Sequence, residues 1–149
     1  MATNTILQSL NPVVDGSGLT SSNRSQFETF IASEAISNGD LVCLDISKSS
    51  DADKMLYIKK LKTDAGLTAV AVGIADENIA SDASGRVIIR GFKANANIAT
   101  GAAVGERFVG TGTAGRGDVL ANSSTIPALG YVLTTAADNL ADVFVLKQF

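Results

Sequence analysis

From Gln26 onward the chain is built of apolar runs of four to eight residues, separated by Gly, Asn, Asp and Ser. Runs of this length between turn residues read as β-strands, and their spacing predicts an all-β small barrel or sandwich. The expected strands are Phe27–Ala32, Leu41–Ile46, Met55–Leu61, Leu67–Ala75, Arg86–Phe92, Arg107–Gly110, Ala128–Thr134 and Asp142–Lys147. Successive side chains on a strand point to opposite faces. RVIIRGF therefore sends Val87 and Ile89 one way and Arg86, Ile88 and Arg90 the other. Asn38–Gly39 and Ser84–Gly85 precede strands, at positions where glycine takes a positive φ without strain. Alanine is abundant, yet no window keeps an i, i+3, i+4 apolar stripe for three turns, so helices are expected to be short or absent.

The pattern also echoes itself. Ile36-Ser37-Asn38-Gly39 is followed by a strand and later by Val72-Gly73-Ile74, and Ile98-Ala99-Thr100-Gly101 by a strand and later by Leu129-Gly130-Tyr131. Two half-barrels of similar plan would produce this echo.

Residues 1–25 break the pattern: they are rich in Ser, Thr and Asn and interrupted by Pro12, Gly16 and Gly18. The apolar residues Ile6, Leu7, Leu10, Val13 and Val14 hold neither a helical nor a strand period for long. Too little apolar surface is present for the segment to order itself alone. The reading is an extended N-terminal arm, 1–25, ahead of a single β domain, 26–149. Such an arm docks on a partner by added strand pairing, and those five residues are its candidate partner-binding positions.

Composition narrows the function. A chain of 149 residues buries a sizeable core without metal or disulfide. The net charge is −3 with both signs scattered, so no basic face is expected and nucleic acid is not an expected partner. Lys59, Lys60 and Lys62 read as the solvated face of a strand. The first basic residue is Arg24, so no charged leader is seen, and no apolar run approaches the ~20 residues that cross a bilayer. Neither secretion nor a membrane partner is expected, and assembly is expected in the cytosol. The lone Cys43 excludes an internal disulfide and, with no base to activate it, reads as a buried structural thiol.

Histidine is absent. A Ser-His-Asp triad, a Cys-His pair and a His-ligated zinc are therefore impossible, and acid–base chemistry would fall to a strongly shifted carboxylate or lysine. No enzymatic activity, cofactor, metal or small-molecule substrate is expected.

Four motifs invite a sharper reading. In FVGTGTAGRGDVL, Gly110, Gly112 and Gly115 fit G-x-G-x-x-G, but a dinucleotide site needs a helix after the glycines, and Gly117 and Pro127 leave no room for one. Arg116-Gly117-Asp118 spells the adhesion tripeptide RGD; the stretch as a whole reads as a mobile connection between strands. DISKSSDAD and DENIASDASG lack the glycine and terminal acid of a calcium loop and read as solvated turns. Ala52-Asp53-Lys54-Met55 only faintly matches the lysine turn of lipoyl and biotinyl carriers, and Lys54 reads as part of an ordinary loop.

The run ISNGDLVCLD, AVAVGIADENIASDASGRVIIRGF, IATGAAVGERFVGTGTAGRG and ALGYVLTTAADNLADVFVLKQF resembles the small capsid decoration (cement) proteins of tailed bacteriophages. The resemblance rests on Gly39, Asp40, Val72, Gly73, Ala75, Val87, Ile89, Gly91, Gly105, Gly130, Leu133 and Val143, and spans about four-fifths of the chain. These are fold-pattern residues; SDASG before the RVIIRG strand supplies fewer glycines than the family pattern. The resemblance implies a β-barrel or β-tulip on the outside of a phage head. It implies a homotrimer that clamps neighbouring major capsid subunits, with residues 1–25 as an arm over the lattice. A second reading is a β-module for receptor or glycan recognition, such as a head fibre base or adhesin domain, with Arg116–Asp118 as its surface feature.

Overall fold

The computed structural model describes residues 25–63, 70–120 and 127–146. Its elements are β1 (Gln26–Ala32), β2 (Leu41–Leu44), α1 (Asp51–Leu56), β3 (Tyr57–Lys60), β4 (Ala71–Ala75) and β5 (Ser84–Asn97), then β6 (Arg107–Gly110), β7 (Gly117–Val119), β8 (Gly130–Val132) and β9 (Leu140–Val145). The fold is all-β, with one short helix among the described residues. Several boundaries move. Met55 and Leu56, expected at the head of a strand, close α1 instead. The expected strand at Leu41 ends at Leu44, and RVIIRGF is the middle of a fourteen-residue strand. The helix starts where Ser50 accepts a hydrogen bond from the Asp53 backbone N–H, with Asp51 and Asp53 in its first turn. That is an N-cap with acids favouring the positive end of the helix. Six residues are too few to display a helical period.

The first five strands close on themselves in the order β1-β3-β2-β4-β5, with β5 returning to pair β1. Every pairing is antiparallel except β1 with β3, where Ile31 and Ala32 lie against Tyr57 and Ile58. Phe30, Ala32, Val42, Ile58, Val72, Ala75, Val87 and Ile89 form one buried cluster from these strands, the lumen of a small barrel, with Ile36 and Ile79 added from its connections. The alternation read in RVIIRGF holds, with Val87 and Ile89 in this lumen and Ile88 turned outward. Ile88 is nevertheless buried, because a second core covers the outside of the barrel there. In β4 a bulge changes the face in use: Val42 pairs Gly73 and Cys43 pairs Ala71, so Val72 is an extra residue. An unpaired extra residue shifts the alternation by one. Val72 therefore enters the lumen while Ile74 joins the second core.

The second half repeats the plan. The C-terminal part of β5 pairs β9, then β8, β6 and β7 follow. An isolated parallel bridge from Ile98 to Gly117 closes the ring, matching the parallel β1–β3 contact of the first. The backbone bonds beside the two closures correspond as well, Ser33 N–H to Ile58 O and Ala99 N–H to Gly117 O, both 2.8 Å. Gly39 and Gly101 occupy equivalent turns at φ 91° and 98°. At Gly73 a Cβ would lie 2.0 Å from the Ile88 carbonyl oxygen, and at Gly130 2.1 Å from that of Phe144. The echo in the sequence is thus a duplicated half-barrel. The second core joins Ala96, Ile98, Phe108, Val132, Val143 and Val145 to Leu41, Cys43, Leu61, Ile74 and Ile88 from the outer wall of the first barrel. Strand β5 serves both rings, and a bulge between Lys93 and Ala96, with Asn95 at φ 53°, bends it from one into the other.

Candidate functional site

The stretch that carried two motifs is neither a cofactor loop nor a free tip. Gly110 ends β6 against Leu61, and the Gly115 N–H donates to Leu61 O while its carbonyl accepts from Leu41 N–H, each at 2.9 Å. Arg116 is half-buried and its Nε donates to Asn97 Oδ1 at 3.3 Å. Gly117 is buried under Ile98, Leu41 and Phe108, and Asp118 bends back so that its Oδ1 accepts from the Val119 N–H. In this tripeptide Asp118 is exposed and Arg116 half-buried, while the glycine between them is core. The expected mobile connection is corrected here, since Gly117–Val119 is β7. Three residues, one of them glycine, carry too little alternation to announce a strand, and its pairing to β6 supplies what the sequence lacks.

The other singled-out groups are structural as placed. Cys43 is buried, burial pushes its thiol up to about 11, and Sγ donates weakly to the Lys60 carbonyl at 3.8 Å. Lys54 is half-buried and paired with the exposed Asp51 at 2.9 Å. Asp45 is buried, which works against ionisation. Hydrogen bonds from Ser47 and Ser33 and the Lys59 ammonium at 3.1 Å overcome that cost and hold its carboxyl well below the usual carboxylate range. Asp40 lies at the seam of the two rings, accepting from the Ser37 N–H and from Asn97 Nδ2, with Lys60 3.7 Å away. Among the described residues no group of three or more His, Cys, Asp or Glu could hold a metal, and no helix is long and apolar enough to cross a membrane.

What remains is surface. The candidate arm residues Ile6, Leu7, Leu10, Val13 and Val14 lie outside the described residues. The chain becomes described at Ser25, whose hydroxyl donates to Phe92 O, immediately before β1. β1 pairs β5 along Gln26–Ile31 but meets β3 only at Ile31 and Ala32. The other edge of Gln26–Phe30 is paired by no described strand, and Gln26–Thr29 are exposed. An open strand edge is a template for another chain. Helix α1 buries none of its residues; Met55 is 64% exposed, Leu56 49% and neighbouring Ile46 55%. A second apolar patch lies on the other ring, where Tyr131 and Leu133 flank Val132, and Val104 is brought beside them by the Gly105 N–H to Val132 O bond. Sequence reasoning missed both patches, because exposed and buried apolar residues look alike until the strands are paired.

No family profile and no curated protein matches the chain. Among the solved structures that share its fold are two from bacteriophages. One is the N base of head fiber gp8.5 in bacteriophage phi29, at 14% identity and TM-score 0.55, covering 82% of this chain and 94% of that one. The other is a chain of the capsid of Myoviridae Phage XM1, at 16% identity and TM-score 0.59, covering 87% of this chain and 88% of that one. At these identities the likeness establishes the fold, and it spans both rings.

Proposed function

We propose that the protein is a structural component of a phage head, a non-enzymatic decoration protein that binds the outer surface and clamps neighbouring major capsid subunits. The observation that carries this reading is the fold likeness over nearly the whole chain to proteins described as a head fibre base and as part of a capsid. An open strand edge at Gln26–Phe30 and apolar patches on both rings fit a role in which shape, burial and strand pairing do the work. The chain acts as a homotrimer, assembled in the host cytoplasm, with residues 1–25 reaching across the lattice. A protein that binds only the assembled shell stabilises it by linkage.

The head fibre base likeness favours a second reading, a base domain that attaches a fibre at few positions. Copy number in purified particles separates the two. A 15.3 kDa band at a molar amount comparable to the main shell protein supports decoration, a few copies supports a fibre base, and absence from particles overturns both. Trimming residues 1–25 is expected to abolish binding to undecorated heads while leaving the β domain folded, checked by sedimentation and circular dichroism.

A further inference from the structure

Besides the surface pair Lys54–Asp51, three lysines pair with carboxylates, and one of them also faces an amide. Lys59 meets Asp45 and Lys60 meets Asp40. A carboxylate is a poor acyl donor, so those two pairs end as salt bridges. Lys93 differs. Its side chain is 7% exposed, its Nζ lies 2.7 Å from the Asn38 carboxamide oxygen, and Asp76 Oδ1 lies 3.6 Å from the same nitrogen. The buried amine thus touches the carboxamide of the exposed Asn38 and stands beside the half-buried Asp76 carboxylate, and these are the three parts of an intramolecular amide exchange.

We propose that Lys93 and Asn38 join in an isopeptide bond, with Asp76 carrying the proton. The Lys93 ammonium gives a proton to the Asp76 carboxylate, and the neutral amine attacks Asn38 Cγ. The Cγ–Nζ bond forms and the Cγ–Nδ2 bond breaks. Asp76 passes its proton to the departing nitrogen, and the second proton shed by Nζ follows through the regenerated carboxylate. One ammonium ion leaves, no electron changes hands and no co-reactant is needed. The reactants are held together by the fold: Lys93 pairs Val143 in the shared strand, the Asn38 N–H donates to Asn78 Oδ1, and the outer oxygen of Asp76 is gripped by Arg86 at 3.1 Å. Fixing reacting groups at contact distance supplies a large part of such a barrier.

The bond would close a covalent loop across 55 positions, enclosing β2, α1, β3 and β4, and tie the first turn to the strand both rings share. A competing reaction at the same residue, cyclisation of Asn38 onto the Gly39 nitrogen, also releases ammonia. It is disfavoured here, because the Gly39 N–H donates to Ala75 O at 2.9 Å.

The test is the mass of the full chain under denaturing conditions, followed by digestion. The expected result is a mass one ammonia short of the sequence and a branched peptide joining Asn38 to Lys93, with the full mass restored in Lys93→Arg and in Asp76→Asn. A wild-type chain at full sequence mass overturns the proposal. So does an ammonia loss that persists in Lys93→Arg, which identifies cyclisation at Asn38–Gly39. A bond that still forms in Asp76→Asn overturns the role given to Asp76.

Discussion

The two rings follow one plan and put it to different uses. In the first, the connection from the second strand to the third runs through residues 45–56 and includes α1; in the second, the corresponding connection is residues 111–116. The first ring has a lumen of its own, filled from all five strands. The second ring fills its interior partly with the outer wall of the first, through Leu41, Cys43, Leu61, Ile74 and Ile88. Duplication followed by this nesting makes one continuous body from two small barrels, each of which alone would bury little apolar surface. It also leaves on the first ring a helix, absent from the corresponding connection of the second, that contributes nothing to either core.

If the rings are equivalent at their tightest points, Gly73→Ala and Gly130→Ala are each expected to cost roughly 3 kcal/mol, because a Cβ meets a backbone carbonyl that cannot rotate away. Urea denaturation of the two variants checks this; a cost confined to one would break the equivalence. The paired turns should separate the rings. A side chain at Gly101 meets open space and pays only for its positive φ, about 1 kcal/mol. At Gly39 a Cβ also lies 2.5 Å from the Asn95 carbonyl oxygen, so Gly39→Ala is expected to lower the melting temperature clearly more than Gly101→Ala.

Acid should weaken the first ring in a way that one substitution reveals. The depressed folded-state pKa of Asp45 means its contribution is present above the ordinary carboxylate range, roughly pH 4, and is lost as pH falls below it. Asp45→Asn is expected to cost about 1–2 kcal/mol at neutral pH. That gap should narrow in denaturation curves taken progressively below pH 4; a gap independent of pH would mean the Ser33, Ser47 and Lys59 contacts do not act through the charge. The smallest effect on stability is expected from replacing residues 49–56 with a shorter linker, which keeps the Ser47 contact to Asp45, within about 1 kcal/mol, since α1 buries none of its residues. The same variant should bind undecorated heads more weakly if Met55 and Leu56 face the shell.

Much of this fold is legible in local pattern. The alternation of Val87, Ile88 and Ile89 gives their true facing, and the Gly39 and Gly101 turns lie between the first and second strands of each ring. α1 was signalled only by Ser50 and Asp53 three residues apart, a cap pattern too slight to weigh against the apolar run at Met55–Leu61. β7 had no local signal, and the two glycine-rich motifs around it drew attention away from the strand that Gly117 begins. Of the candidate site, the arm residues lie outside the described structure, and the open edge of β1 is visible only once β3 is found to reach just Ile31 and Ala32.

What the sequence alone determined is the all-β class, the two-fold echo, and an interior without histidine chemistry, because strand period, turn glycines and composition are local properties. Only the tertiary structure decided that the echo is two nested rings sharing β5, that Gly117 is core, and that Lys93 stands against Asn38 and Asp76. Those facts depend on which strands pair and where a bulge shifts the register, and pairing between residues far apart in the chain leaves no mark on either strand read by itself.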